Sequence, residues 1–211
     1  MTFVLNFIKG MEIKERIIEG AASLYKIYGI RAVTMDSLAN HLGISKRTIY
    51  EVFSDKDEML LSVLRWMAQK QRALVQRILD DSENAILAIF RLLESSRDHF
   101  QDMSPAFQAD LKKSKYELLL KKVEKSEMPD YKNNTQVIER GIKEKLFRKD
   151  INPDIVNRCL YSLGRSAMDF DLYPFEEFTR REVIKNVFIN YMKGISTTEG
   201  IELINKLEAK F

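Results

Sequence analysis

The stretch Thr34-Met35-Asp36-Ser37-Leu38-Ala39-Asn40-His41-Leu42-Gly43-Ile44-Ser45-Lys46-Arg47-Thr48-Ile49-Tyr50 decides the reading of this chain. Thr34 offers an oxygen to cap a helix, and Asp36 puts negative charge in its first turn, where the backbone dipole favours it. Met35, Leu38, Ala39 and Leu42 then recur at helical spacing, so they face inward together. Gly43 and Ile44 break that helix. Ser45 caps a second one, Lys46 to about Val52. Two short helices joined through a glycine turn make a helix-turn-helix. Leu38, Ala39, Leu42, Ile44, Ile49 and Phe53 supply the apolar contacts to lock the pair, and small Ala39 allows close approach.

Lys46 and Arg47 in the first turn of the second helix are locally unfavourable. Each positive charge there opposes the dipole at a cost of about 0.3–1 kcal/mol. An anionic partner accounts for them, because a recognition helix presents its N-terminal residues to base edges and phosphates. Thr48 can bond a base or touch a thymine methyl, and Tyr50 can donate its hydroxyl to a phosphate. Lys56, at the start of the next helix, is expected beside backbone N–H groups that also attract phosphate.

Working outward, Ile13, Ile17, Ala21, Leu24 and Tyr28 mark one helix face from Glu12 to Tyr28, and Gly29 suits a left-handed helix end. Ser54 caps a fourth helix, expected from Asp55 to about Leu79. Further helices are expected over Glu83 to Phe100, Ser104-Pro105 to Lys125, Tyr131 to Arg148, Asp154 to Asp171, and Phe175 or Glu176 to Met192. A short one follows Thr197 or Thr198. The segment Met1 to Gly10 precedes the first strong helix and its Met11. It lacks the basic start and small-residue site of a signal peptide, and its apolar residues suggest an arm that packs on the body.

The chain has 211 residues, 45% hydrophobic and 31% charged, with only eight Gly and four Pro. Long stretches without a breaker favour helices over many short strands, so the fold class is all-α. A net charge of +3 neither requires nor excludes nucleic acid, since a local patch decides phosphate binding. One cysteine, Cys159, forbids an intrachain disulfide and fits a reducing cytoplasm. It falls on an apolar stripe, where packing is the default role; a redox-sensing thiol is the alternative. The two histidines, His41 and His99, have no metal-ligand spacing around them, and no catalytic constellation or phosphate-binding glycine loop is found. No enzyme activity, metal or cofactor is therefore expected. The lysines between Lys112 and Lys125 alternate with Tyr116, Leu118, Leu119 and Leu120, the pattern of a solvated amphipathic helix.

Residues 12 to 64 resemble the DNA-binding domain of the tetracycline-repressor (TetR) family of bacterial regulators. The resemblance runs through Ala21–Gly29, Thr34–Leu42, Gly43-Ile44-Ser45-Lys46-Arg47-Thr48-Ile49-Tyr50, Phe53 and Lys56-Asp57-Glu58-Met59-Leu60, without a gap. It implies an all-helical homodimer: an N-terminal three-helix DNA-binding domain, then a larger domain that dimerises and binds a small effector. It also implies that Thr34, Lys46, Thr48, Tyr50 and Lys56 contact double-stranded operator DNA, with Arg47 added from its position. The chain departs from the common pattern at Glu51-Val52, where many members carry an aromatic and then His. Glu51 is expected to hold Arg47 one turn away, or else to accept from a cytosine amino group.

By this reading residues 1–56, including the extension 1–10, bind DNA, and residues 57–211 bind effector and dimerise. The expected function is a cytoplasmic transcriptional repressor released from its operator by a small amphipathic effector. An activator or nucleoid protein without an effector is the alternative. The stripes Val156, Leu160, Leu163, Gly164, Ala167 and Ile184, Phe188, Tyr191 are expected at a homodimer interface, unless the chain's own core takes them. Trp66, Met67, Phe90, Arg97, Phe100, Met103, Phe107 and Tyr161 are the expected effector pocket, with Arg97 anchoring a carboxylate. Met and aromatic side chains suit mobile apolar ligands.

Overall fold

Several helices in this chain begin where a side-chain oxygen meets free backbone N–H groups. Thr34 Oγ1 accepts from Ser37 N (3.0 Å), and Ser37 Oγ accepts from Thr34 N (2.8 Å), a reciprocal capping box that opens α2, Met35–Leu42. Gly43 closes α2 at φ 64°, in the left-handed region, and donates its N–H back to Ala39 and Asn40. Ser45 Oγ then accepts from Thr48 N (3.0 Å) to open α3, Lys46–Val52. Before this pair runs α1, Thr2–Tyr28, and after it α4, Lys56–Asp81. There follow α5 (Ala85–Gln101), α6 (Pro105–Leu111), α7 (Ser114–Glu127), α8 (Gln136–Lys143) and α9 (Pro153–Ala167). The last stretch is α10 (Arg180–Val183), a π-helical turn over Ile184–Ile189, α11 (Asn190–Ile195) and α12 (Thr198–Glu208).

This computed structural model describes residues 2–127, 135–167, 169, 171–174 and 176–209, with backbone alone for 2–11, 97, 99–101, 114 and 124–127. Among the described residues the fold is all-α. Its single β feature is an antiparallel bridge between Phe147 and Ser196. No helix among them is long and apolar enough to cross a membrane.

Four expected helices differ from those observed. The stretch after Pro105 is two helices, because the Lys112 and Lys113 N–H groups turn back to the Gln108 and Asp110 carbonyls. The helix expected to Arg148 ends at Lys143: Lys145 takes φ 61°, and Leu146 and Phe147 both donate to the Gly141 carbonyl. Its expected beginning, from Tyr131, lies outside the described residues. The helix expected to Asp171 stops at Ala167; beyond it Asp169 Oδ1 accepts from the N–H groups of Asp171 and Leu172. The last long helix starts only at Arg180, where Thr179 and Glu182 form a capping box. In the N-terminal segment the α1 backbone is helical from Thr2, but the side chains whose packing was expected lie outside the description.

Two compact units share the chain: Met1–Arg72 with Gln101–Met128, and Ala73–Phe100 with Pro129–Phe211. This division by packing cuts α4 and α5 and does not coincide with the expected division by role at 56/57. In the first unit Ile17, Tyr25, Ile30, Leu38, Ile49, Phe53, Met59, Leu60 and Phe107 are almost wholly buried. Burying each such side chain contributes about 1.5–3 kcal/mol, which is what holds the short α2 and α3 in place. Gly29, at φ 83°, lies so close to α6 that a Cβ on it would stand 3.0 Å from Asp110 Oδ2 and 3.1 Å from the Ala106 Cβ.

In the second unit Ile86, Phe90, Ile138, Phe147, Ile184, Phe188, Met192 and Ile204 form the core. Val156, Leu160, Ala167, Ile184 and Phe188, expected at a homodimer interface, are buried in this core (at most 7% exposed). The stripes of α9 and the π-helical turn are spent on each other, the alternative that the periodicity left open. Leu163 and Tyr191 are half-buried against the same core, and Gly164 lies beside Phe188. Ile155 and Tyr161 are the large hydrophobic side chains that α9 leaves exposed, among Asp154, Arg158, Ser162 and Arg165. Cys159 is half-buried, and Tyr191 is pushed up to about 12 by burial and by its hydrogen bond with Cys159.

Candidate nucleic-acid interface

The α2–α3 pair is fixed from below by its core residues and at one end by Arg16, whose Nη2 donates to the Leu42 carbonyl at 2.5 Å. That leaves the start of α3 exposed. Arg47 carries a side chain 89% exposed and Lys46 one 47% exposed, and Tyr50 keeps 47% of its surface in solvent. Thr48 is half-buried, its Oγ1 2.9 Å from Ser45 Oγ. Ile49, between them, is fully buried and pins the helix to the core. The structure therefore brings Lys46, Arg47, Thr48 and Tyr50 together on one short helix.

Neither cation is without a partner. Lys46 Nζ donates to Asp36 Oδ2 at 2.7 Å, reaching across to α2, and Arg47 Nε donates to Glu51 Oε1 at 3.0 Å. The hydrogen bond with Asp36 raises the Lys46 ammonium above its ordinary value. The Arg47–Glu51 pair is the one expected from their i,i+4 spacing. Sequence reasoning did not find the Lys46–Asp36 pair. The two lie ten residues apart, and Asp36 was accounted for by the dipole of α2 alone.

Thr34 and Lys56, also expected to contact DNA, are both engaged within the chain. The Thr34 hydroxyl is committed to capping α2. Lys56 is half-buried, and its Nζ donates to the carbonyls of Ile30 (2.7 Å) and Val33 (2.5 Å). Burial holds its ammonium below the usual lysine range, with Asp110 and Asp57 opposing that shift. Lys56 thus ties the loop that leads into α2 to the start of α4. Ile30 and Val33 are buried, so their carbonyls need a donor, and the fold brings Lys56 within reach.

A second connection joins that loop to α6. Asp110, with its side chain 8% exposed, accepts from Arg31 N at 2.9 Å and from Lys113 Nζ at 2.9 Å, and Arg31 Nε lies 3.6 Å away. Ser104 N donates to the Lys26 carbonyl at 2.8 Å, and Lys115 Nζ pairs with Asp57 at 2.7 Å. Burial pushes the Asp110 carboxyl up, but the Lys113 and Arg31 hydrogen bonds and charges outweigh it and hold the group below the usual range. A depressed folded pKa means stability present above the unfolded value of about 3.9 and lost as pH falls through the folded value. Asp110→Asn is therefore expected to lose about 1 kcal/mol at pH 7. In urea denaturation at a series of pH values, its deficit should vanish in strong acid; a deficit independent of pH would refute this account.

The expected effector residues are divided between the units. Met103 and Phe107 belong to the first core, with Trp66 and Met67 half-buried against it. Phe90 belongs to the second core, and Tyr161 faces solvent with Arg165 6.0 Å from its ring centroid. The side chains of Arg97 and Phe100 lie outside the described residues. The second unit has one cleft beside Arg181, Lys185 and Asn205 and another beside Glu83, Glu144 and Glu202. Neither is lined by the expected residues.

Residues 17–63 match the model of the bacterial regulatory proteins, tetR family. Over 190 residues the chain is 32% identical to the uncharacterized HTH-type transcriptional regulator YhgD of Bacillus subtilis, covering 87% of this chain and 96% of that one. It is 25% identical over 148 residues to the HTH-type transcriptional repressor KstR2 of Mycobacterium tuberculosis, covering 68% of this chain and 74% of that one. A solved gamma-butyrolactone receptor, described as ArpA-like, shares the fold with a TM-score of 0.62 at 18% identity, covering 96% of this chain and all of that one (100%).

Proposed function

This chain belongs to the tetR family of bacterial regulatory proteins, and from that membership we propose a repressor that a small amphipathic effector releases from its operator. The observation that carries the DNA half is the cluster of exposed Lys46, Arg47 and Tyr50, with half-buried Thr48, on a helix anchored by buried Ile49. Side chains at such a position reach base edges in the major groove, while nearby cations meet phosphates. The effector half is supported by the relatives: one is a repressor, and a structural neighbour is a receptor for a gamma-butyrolactone.

A homodimer would present two such helices to successive major grooves, about 34–36 Å apart. Since Val156, Leu160, Ala167, Ile184 and Phe188 are used within the chain, the exposed face of α9 that carries Ile155 and Tyr161 is available to a second copy. An effector acts by favouring a spacing of the two helices that does not fit the operator. The site of action is the cytoplasm, where the DNA lies.

Selection of duplexes from a randomised pool, followed by gel shift, tests the reading. A repressor of this kind should enrich a sequence with two related half-sites. A nucleoid protein would bind every duplex alike, and enrichment of nothing would remove the proposal.

A further inference from the structure

We propose that Asp36 and Glu51 set the specificity of this interface: they neutralise Lys46 and Arg47 in the free chain and so suppress binding to arbitrary duplex. The inference rests on the DNA-binding reading above. All four side chains are substantially exposed, at 47% and 66% for Lys46 and Asp36 and 89% and 60% for Arg47 and Glu51. Exposed pairs of this kind contribute little to folding, so stability does not explain why both cations are held. Their consequence is electrostatic. Two positive and two negative charges leave the leading edge of α3 with no net charge.

On a random duplex the base edges do not match these side chains, and only the phosphates are of general use to this edge. To use them it must draw each cation from its carboxylate, or bring a carboxylate against the DNA backbone. An operator offers matching base edges as well. Arginine can take guanine O6 and N7, and a displaced glutamate can accept from a cytosine amino group. The cost of separating the pairs is thus met on the right sequence and unmet on others, which is specificity gained by penalising the wrong partner. Asp36 also suits the dipole of α2, but that role makes no prediction about salt.

The test compares the wild-type chain with Asp36→Asn and Glu51→Gln on a random-sequence duplex and on the duplex selected from a randomised pool. Each variant should bind random duplex more tightly at low salt. Its log affinity should fall more steeply with log salt, by about 0.9 in slope for one more cation engaged. Between roughly 50 and 200 mM salt its advantage should therefore shrink about 3.5-fold, and the preference for the selected duplex should narrow. Asp36→Glu, which keeps a carboxylate within reach, should return the wild-type slope. Unchanged or weaker binding to random duplex, or an unchanged slope, overturns the proposal. If Asp36→Asn melts early through loss of the charge in the first turn of α2, Glu51→Gln decides the matter, because Glu51 has no such role at a helix start. Failure of the wild-type chain to bind any duplex would instead remove the DNA reading, and is seen before any variant is made.

Discussion

Lys46→Ala, Arg47→Ala and Tyr50→Ala combined are expected to lower affinity for the selected duplex by about 100-fold or more, with the melting temperature little changed. Each contact to a base edge or phosphate that these side chains make is worth about 1–3 kcal/mol, and three of them together exceed the roughly 2.7 kcal/mol that 100-fold represents. The loss is deepened because Asp36 and Glu51 remain behind as uncompensated negative charge facing the duplex. Folding should tolerate the change. The two ion pairs are solvent-exposed, and Ile49 and the cap at Ser45, which hold α3, are untouched. The salt slope should fall by about two units for the two lost cations. Retention of operator affinity within about threefold, on a folded variant, would place the interface elsewhere on the chain.

The helix-turn-helix was legible because everything that defines it is local. Thr34 and Ser45 cap, Gly43 turns, and Met35, Leu38 and Ala39 recur at helical spacing. All of these keep in the structure the roles their positions suggested. The exposed cluster at the start of α3 was legible for the same reason. What escaped is what depends on distant partners. Asp36 and Lys46 lie ten residues apart, Lys56 finds carbonyls more than twenty residues back, and Asp110 meets Arg31 across 79 positions. No window of sequence contains both members of the longer pairs. The helix ends missed in the C-terminal half have the same origin. Lys143 ends α8 because the chain must then bring Phe147 to Ser196, a pairing invisible to periodicity.

The same limit applies to the apolar stripes. Periodicity states that Val156, Leu160 and Ala167 share a face of α9, and that Ile184 and Phe188 share another. It does not state whether a face meets its own chain or a second copy. Here the two faces meet each other, and one exposed isoleucine and one exposed tyrosine on α9 remain. A test of the proposed homodimer is therefore better made at Ile155 and Tyr161 than at the residues the stripes first suggest.

Lys56→Met is expected to cost about 2 kcal/mol of stability and to leave the salt slope of DNA binding unchanged. A phosphate contact predicts the reverse, a slope lower by about one unit and stability unaltered. The ammonium's own bonds support the first outcome. Lys56 Nζ donates to two carbonyls, of Ile30 and Val33, in the loop that carries the chain from α1 into the Thr34 cap. Methionine keeps most of the stem's volume but gives those carbonyls no donor, and each buried acceptor left unsatisfied costs about 1–3 kcal/mol. Part of that is offset, because the variant no longer has to bury a charge, and burial is the leading influence on this lysine. Urea denaturation reads the stability, and titration of duplex binding against salt reads the slope. DNA affinity should still fall, uniformly across salt, because a looser loop no longer holds α2 and so no longer aims α3. A slope that drops by one unit while stability holds would return Lys56 to the phosphates.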